Sequence, residues 1–164
     1  MFSNKNQNKK GVVKMFEFEK ICREVEKMDT LTYSVVIAEK SKDVIAGLAN
    51  ITEDGLTGLA IYSGLIFGAV VSDGKVSEEE FLLIEPMLSL SLGYQVSYED
   101  AKAMLKYYKK DTKDYNKFVD AVVDLFGEIS DELKSDIVTV CLLICGIDGK
   151  ISLKEKMWLK QLIK

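Results

Sequence analysis

Asp73-Gly74-Lys75-Val76-Ser77-Glu78-Glu79-Glu80 returns 75 positions later as Asp148-Gly149-Lys150-Ile151-Ser152-Leu153-Lys154-Glu155, with five of the eight positions identical. The likeness extends outward in pattern. Leu65, Ile66 and Phe67 precede the first copy as Val140, Cys141 and Leu142 precede the second, and Leu82, Ile84, Met87 and Leu88 follow it as Met157, Leu159, Leu162 and Ile163 follow its counterpart. A unit of helix, turn and helix written twice predicts an all-α fold: a single compact helical domain with an internal pseudo-two-fold repeat of helix, Asp-Gly turn and helix.

The octet can be read residue by residue. Gly74 and Gly149 supply the left-handed conformation that ends an arriving helix, which is costly for a residue with a Cβ. Ser77 with Glu80, and Ser152 with Glu155, have the S-x-x-E spacing of a capping box, in which hydroxyl and carboxylate each accept from an otherwise unpaired backbone N–H. Val76 and Phe81 have the spacing of a hydrophobic staple, and Lys156 breaks it in the second copy, so the two turns differ in local support. Asp73 and Asp148 are left over. An aspartate before glycine bonds the N–H groups of its own turn or serves as a cation ligand, and the sequence leaves both open. The turns are not EF-hand loops: the third position is Lys75 or Lys150, the sixth Glu78 or Leu153, and the twelfth Ile84 or Leu159.

A helix ending in Asp-Gly-x-Val/Ile-Ser and a following helix with Glu in its first turn, twice in one small helical chain, resembles the TerB-like family. That family includes tellurite-resistance proteins and the N-terminal domain of membrane-anchored DnaJ-like co-chaperones. The resemblance covers roughly residues 30–164. It implies a non-catalytic binding module in a stress response, with divalent metal, Ca²⁺ or Mg²⁺, held at the acidic turns by Asp73, Glu80, Asp148 and Glu155. Lys75 and Lys150 stand beside these ligands where the family's loops are more acidic. The alternative is a purely structural protein–protein interaction domain with no metal site, its octets serving only as caps.

Composition agrees with one domain. A chain of 164 residues buries about 70% of the surface its unfolded form exposes. With a single proline and no Pro-rich or Ser-rich linker, nothing divides residues 16–164, whereas the polar, basic run within 1–15 reads as a disordered tail in which Met15 offers a second start. A net charge of −4 with no basic, aromatic-interleaved stripe argues against nucleic acid. Lys154, Lys156, Lys160 and Lys164 run along one repeated helix and Glu78, Glu79 and Glu80 open the other, a polarity that is either wet helix surface or a partner-recognising face.

Apolar spacing predicts helices near 16–28, 31–50, 56–72, 77–92, 98–109, 112–126, 131–146 and 152–163, with Gly127 as a stop and Pro86 bending or interrupting its helix. Leu56 to Ser72 carries no charge, but it is shorter than the about 20 residues that span a bilayer. Gly64 and Gly68 would let a neighbouring helix approach it closely, and with Ile137 to Ile147 it reads as one of two central buried helices. Any membrane association would then be indirect.

No histidine occurs, which removes the usual general base and zinc ligand, and neither a P-loop nor a dinucleotide fingerprint is present, so the chain is not expected to be an enzyme. Cys141 and Cys145, four apart on one helix, are either small buried hydrophobes or ligands for a soft metal or a tellurium species. Cys22 stands alone. Three thiols and a charged, non-apolar start fit a cytoplasmic protein with an unidentified protein partner.

Overall fold

Side-chain oxygens begin most of the helices in this chain. The computed structural model describes residues 17–110 and 112–163, apart from the side chains at 87, 90, 91, 107–110, 112, 114, 115, 118 and 119; the expected tail at 1–15 lies outside the described residues. Eight helices follow in order among them: α1 (17–26), α2 (Thr30–Ile51), α3 (Gly55–Val71), α4 (Glu78–Leu92), α5 (Tyr98–Lys110), α6 (Thr112–Glu128), α7 (Asp131–Cys145) and α8 (Leu153–Leu162). Asp29 accepts from Thr32 N at 3.0 Å to start α2, Asp54 from Thr57 N at 2.6 Å to start α3, and Ser130 from Leu133 N at 3.2 Å to start α7. Each such cap contributes about 1 kcal/mol. Ahead of α5, Ser97 and Asp100 exchange bonds of the capping-box kind at 3.0 and 3.1 Å, with aspartate where the octets use glutamate.

The described residues form a single compact helical domain, all-α and without a strand, and the core explains the order of packing. α2 lies along both α3 and α7, α3 also meets α7 and α4, and α8 closes on α6 and α7. α3 carries no charge along its length, while α7 begins polar with Asp131, Glu132, Lys134 and Asp136 and becomes apolar all round in its second half, where Val140 to Cys145 are buried without a break. No helix among the described residues is long and apolar enough to cross a membrane. Polar links are few and lie between these helices. The Tyr33 hydroxyl of α2 donates to the Leu143 carbonyl in the last turn of α7, and Lys40 pairs with Asp136 at 2.6 Å.

Two local expectations are corrected. Gly127 does not stop α6, which continues to Glu128; positive φ among the described residues is confined to Gly74, Gly93 and Gly149, so Gly127 is an ordinary helical position. Pro86 does not interrupt α4, which runs unbroken from Glu78 to Leu92. Pro86 is exposed, and so is Leu82, the residue whose carbonyl loses its partner, so the missing hydrogen bond falls on the wet face where solvent replaces it.

Close backbone approach is required at Gly58, where α3 meets the end of α2. A Cβ there would stand 2.9 Å from the Ala49 nitrogen and 3.0 Å from the Leu48 carbonyl carbon, both main-chain atoms that cannot rotate away. Gly127, by contrast, faces open space. Gly58→Ala is expected to lower stability by about 1–3 kcal/mol through overpacking, and Gly127→Ala to raise it by about 0.5–1 kcal/mol through helix propensity. Thermal melts of the two variants check the opposite signs.

Candidate functional site

The candidate residues sit at two corners, one joining α3 to α4 and the other α7 to α8. Both corners carry the same hydrogen bonds. Gly74 N donates to Val71 O and Gly149 N to Gly146 O, each at 2.9 Å, and each glycine has φ 82°. Asp73 Oδ1 accepts from Lys75 N at 2.7 Å, as Asp148 Oδ1 accepts from Lys150 N at 3.0 Å. Ser77 N donates to Glu80 Oε2 at 2.6 Å while Glu80 N donates to Ser77 Oγ at 3.1 Å; the corresponding distances for Ser152 and Glu155 are 2.5 and 3.2 Å. Both octets are therefore complete capping boxes, and both aspartates bond their own turn.

What differs is the element that closes each corner. At the first, the Tyr98 hydroxyl of α5 donates to the Val76 carbonyl at 2.9 Å, and the Tyr98 ring lies against Phe81 with centroids 5.4 Å apart. At the second, Glu26 of α1 accepts from Ile151 N at 3.0 Å, and Glu19 takes both Lys156 at 3.3 Å and Lys160 at 3.0 Å. Lys156 thus exchanges the staple contact for an ion pair with α1. Lys156 and Lys160 are half-buried and turned onto α1, so they form neither a wet face nor a free basic stripe; Lys154 is exposed, and Lys164 lies outside the described residues. Tyr98, Glu19 and Glu26 had no signal in the sequence, because nothing local marks a contact with a turn tens of residues away.

The electrostatics follow from burial. Glu80 is 7% exposed and Glu155 3%, the two charged side chains withdrawn into the core among the described residues. Burial pushes the Glu80 carboxyl up to about 7; the Ser77 N–H and hydroxyl oppose the rise, and the charges of Asp73 and Glu155 add to it. Glu155 is raised by burial in the same way, against the pull of Ser152, and further by Asp73 and Asp148. Asp73 therefore acts on the glutamates of both corners. The four carboxylates share a field without sharing a ligand position, since no three Asp, Glu or Cys side chains among the described residues stand close enough to hold one ion.

The thiols are likewise enclosed. Burial raises Cys141 to about 12 and Cys22 to about 11, and lifts Cys145 well above the ordinary thiol range. Cys145 Sγ approaches the Ala69 carbonyl of α3 at 3.9 Å, a packing contact between the central helices. A thiol held protonated is a poor nucleophile and a poor soft-metal ligand.

Compared with known proteins, the chain matches no family model, no curated protein and no solved structure.

The raised glutamate has a consequence for stability, with a definite sign. Below pH about 4.5 Glu80 is protonated folded or unfolded; between there and about 7 the folded state holds a proton that the unfolded state has lost, so rising pH costs stability, and above about 7 the loss is complete. Glu80→Gln keeps an acceptor for Ser77 N without the charge. Melting temperature followed from pH 4 to 8 is expected to move in the variant's favour across that window and level off above it, whereas a pH-independent difference between the two proteins would contradict the assignment.

Proposed function

We propose that the chain is a TerB-like, non-catalytic binding module of a cytoplasmic stress response, built on two corners related by pseudo-two-fold symmetry, and that it acts by engaging a protein partner. The observation that carries this reading is the doubled corner, with the same four backbone and side-chain bonds in each copy. The residues that make these bonds are the ones on which the resemblance to the TerB-like family rests. A binding role is favoured over a catalytic one because the carboxyl with the most displaced acidity, Glu80, has one oxygen committed to Ser77 N and does not line the cavity bounded by Tyr62 and Ile66.

The arrangement gives a resident divalent ion little support. Asp73, Glu80, Asp148 and Glu155 each spend an oxygen on a backbone N–H, and no three of them converge. We therefore assign the corners a structural role within the binding module. The specific observation favouring the competing cation reading is the reach of Asp73 to both buried glutamates, whose mutual repulsion an ion would offset.

Two measurements test these assignments. Crosslinking capture of the full chain from cells that naturally make it, with and without tellurite or oxidant, is expected to recover a stoichiometric protein partner enriched under stress; recovery of the chain alone under every condition removes the binding-module reading. Calorimetric titration with Ca²⁺, Mg²⁺, Mn²⁺ and Zn²⁺ is expected to give no saturable binding below about 1 mM, a free energy near −4 kcal/mol. Tighter binding that Asp73→Ala abolishes would restore the metal site.

A further inference from the structure

Away from the corners, α2, α3, α4 and α7 line a cavity of about 280 Å³ that is open to solvent on one side. Its floor is Ile37, Tyr62, Ile66 and Ile144, none more than 9% exposed, and Leu83 forms the wall contributed by α4. Ser34 and Ala38, both exposed, stand at the mouth. Every lining residue is uncharged. The volume lies just below the ~300–1,000 Å³ typical of small-molecule sites, and the lining has their usual make-up of apolar surface with a few polar groups.

The polar groups are unevenly used. Tyr62 Oη donates to Ser41 Oγ at 2.6 Å, and both residues line the cavity. Two hydroxyls bring two protons to that one bond, so one proton remains whichever oxygen donates. The hydroxyl of Ser34 at the mouth returns to the Thr30 carbonyl of its own helix, as those of Ser63 and Ser72 away from the cavity return to the carbonyls of Leu59 and Ala69. Ser41 makes no such bond, and no acceptor among the described residues takes the remaining proton. The cavity thus offers one hydrogen-bond donor against branched aliphatic walls. A charged group would be desolvated there without a counter-ion, and a purely apolar occupant, such as a partner's leucine side chain, would cover the donor and leave it unsatisfied.

We propose that this cavity binds a small uncharged molecule with an apolar body and a single hydrogen-bond acceptor, a ketone, ester or ether oxygen, which the Ser41–Tyr62 hydroxyl pair orients. The site is distinct from the corners and does not depend on their role.

The test uses the full chain with isotope-labelled isoleucine methyls, titrated separately with 2-octanone, cyclohexane and octanoate. 2-Octanone is expected to shift the methyls of Ile37, Ile66 and Ile144 saturably, more tightly than cyclohexane, and octanoate to bind at least about tenfold more weakly. Removing both hydroxyls together in Ser41→Ala/Tyr62→Phe leaves neither partner stranded, so folding is retained; 2-octanone affinity is expected to fall about tenfold while cyclohexane still binds, which shows the cavity intact. Ala38→Trp, filling the mouth, is expected to abolish the shifts. Undiminished 2-octanone binding in the double variant, octanoate binding as tightly as the ketone, or no saturable shift in the wild type at about 1 mM overturns the proposal.

Discussion

Two helices of this protein start beside its core, and the amides of their first turns have to find acceptors there. Unpaired N–H groups at a buried helix start cost about as much as lost hydrogen bonds. Ser77 with Glu80 and Ser152 with Glu155 meet that requirement from within the turn. Because they do, the chain can reverse at the ends of α3 and α7 while Val76 and Ile151 stay buried, and α4 and α8 can fold back over the central helices. The weakened acidity of Glu80 and Glu155 comes from the same burial that makes the caps necessary.

Much of this was legible in the sequence, for local reasons. Glycine conformation, the S-x-x-E spacing and the alternation of apolar and polar positions act within a few residues, and they give the helices, the corners and the burial of α3 and α7. Prediction failed where the deciding fact is distant or depends on exposure. Pro86 is tolerated because its face of α4 is wet, and Gly127 remains helical because no left-handed turn is imposed at that point. Asp100 was overlooked as the reciprocal partner of Ser97 because it is shorter than the glutamate usual in that position. The candidate ligands stand on two turns that carry like hydrogen bonds. That they would be occupied by their own backbone instead of turned toward one ion requires coordinates.

A few of the charges that a linear reading treats as surface decoration are tied between helices. Glu19 binds the two lysines that would otherwise lie along the outside of α8, and Lys40 is joined to Asp136 across the α2–α7 seam. Such partly exposed pairs contribute little net stability, on the order of 1 kcal/mol or less. Their larger effect is on which surface is free, since a lysine held by Glu19 is not offered to an acidic partner.

The bond from Ile151 N to Glu26 spans 125 residues and joins the first described helix to the last corner. On the ribosome α1 emerges long before its acceptor surface exists, so Phe18, Cys22 and Val25, all buried in the finished protein, must wait uncovered while the intervening helices are made. Closure of the molecule is therefore a late, long-range event, slow by comparison with the local turns that precede it. Any shortening that removes the second corner takes away the acceptor bond that ties α1 to the end of the chain and uncovers the apolar stripe of Phe18, Cys22 and Val25.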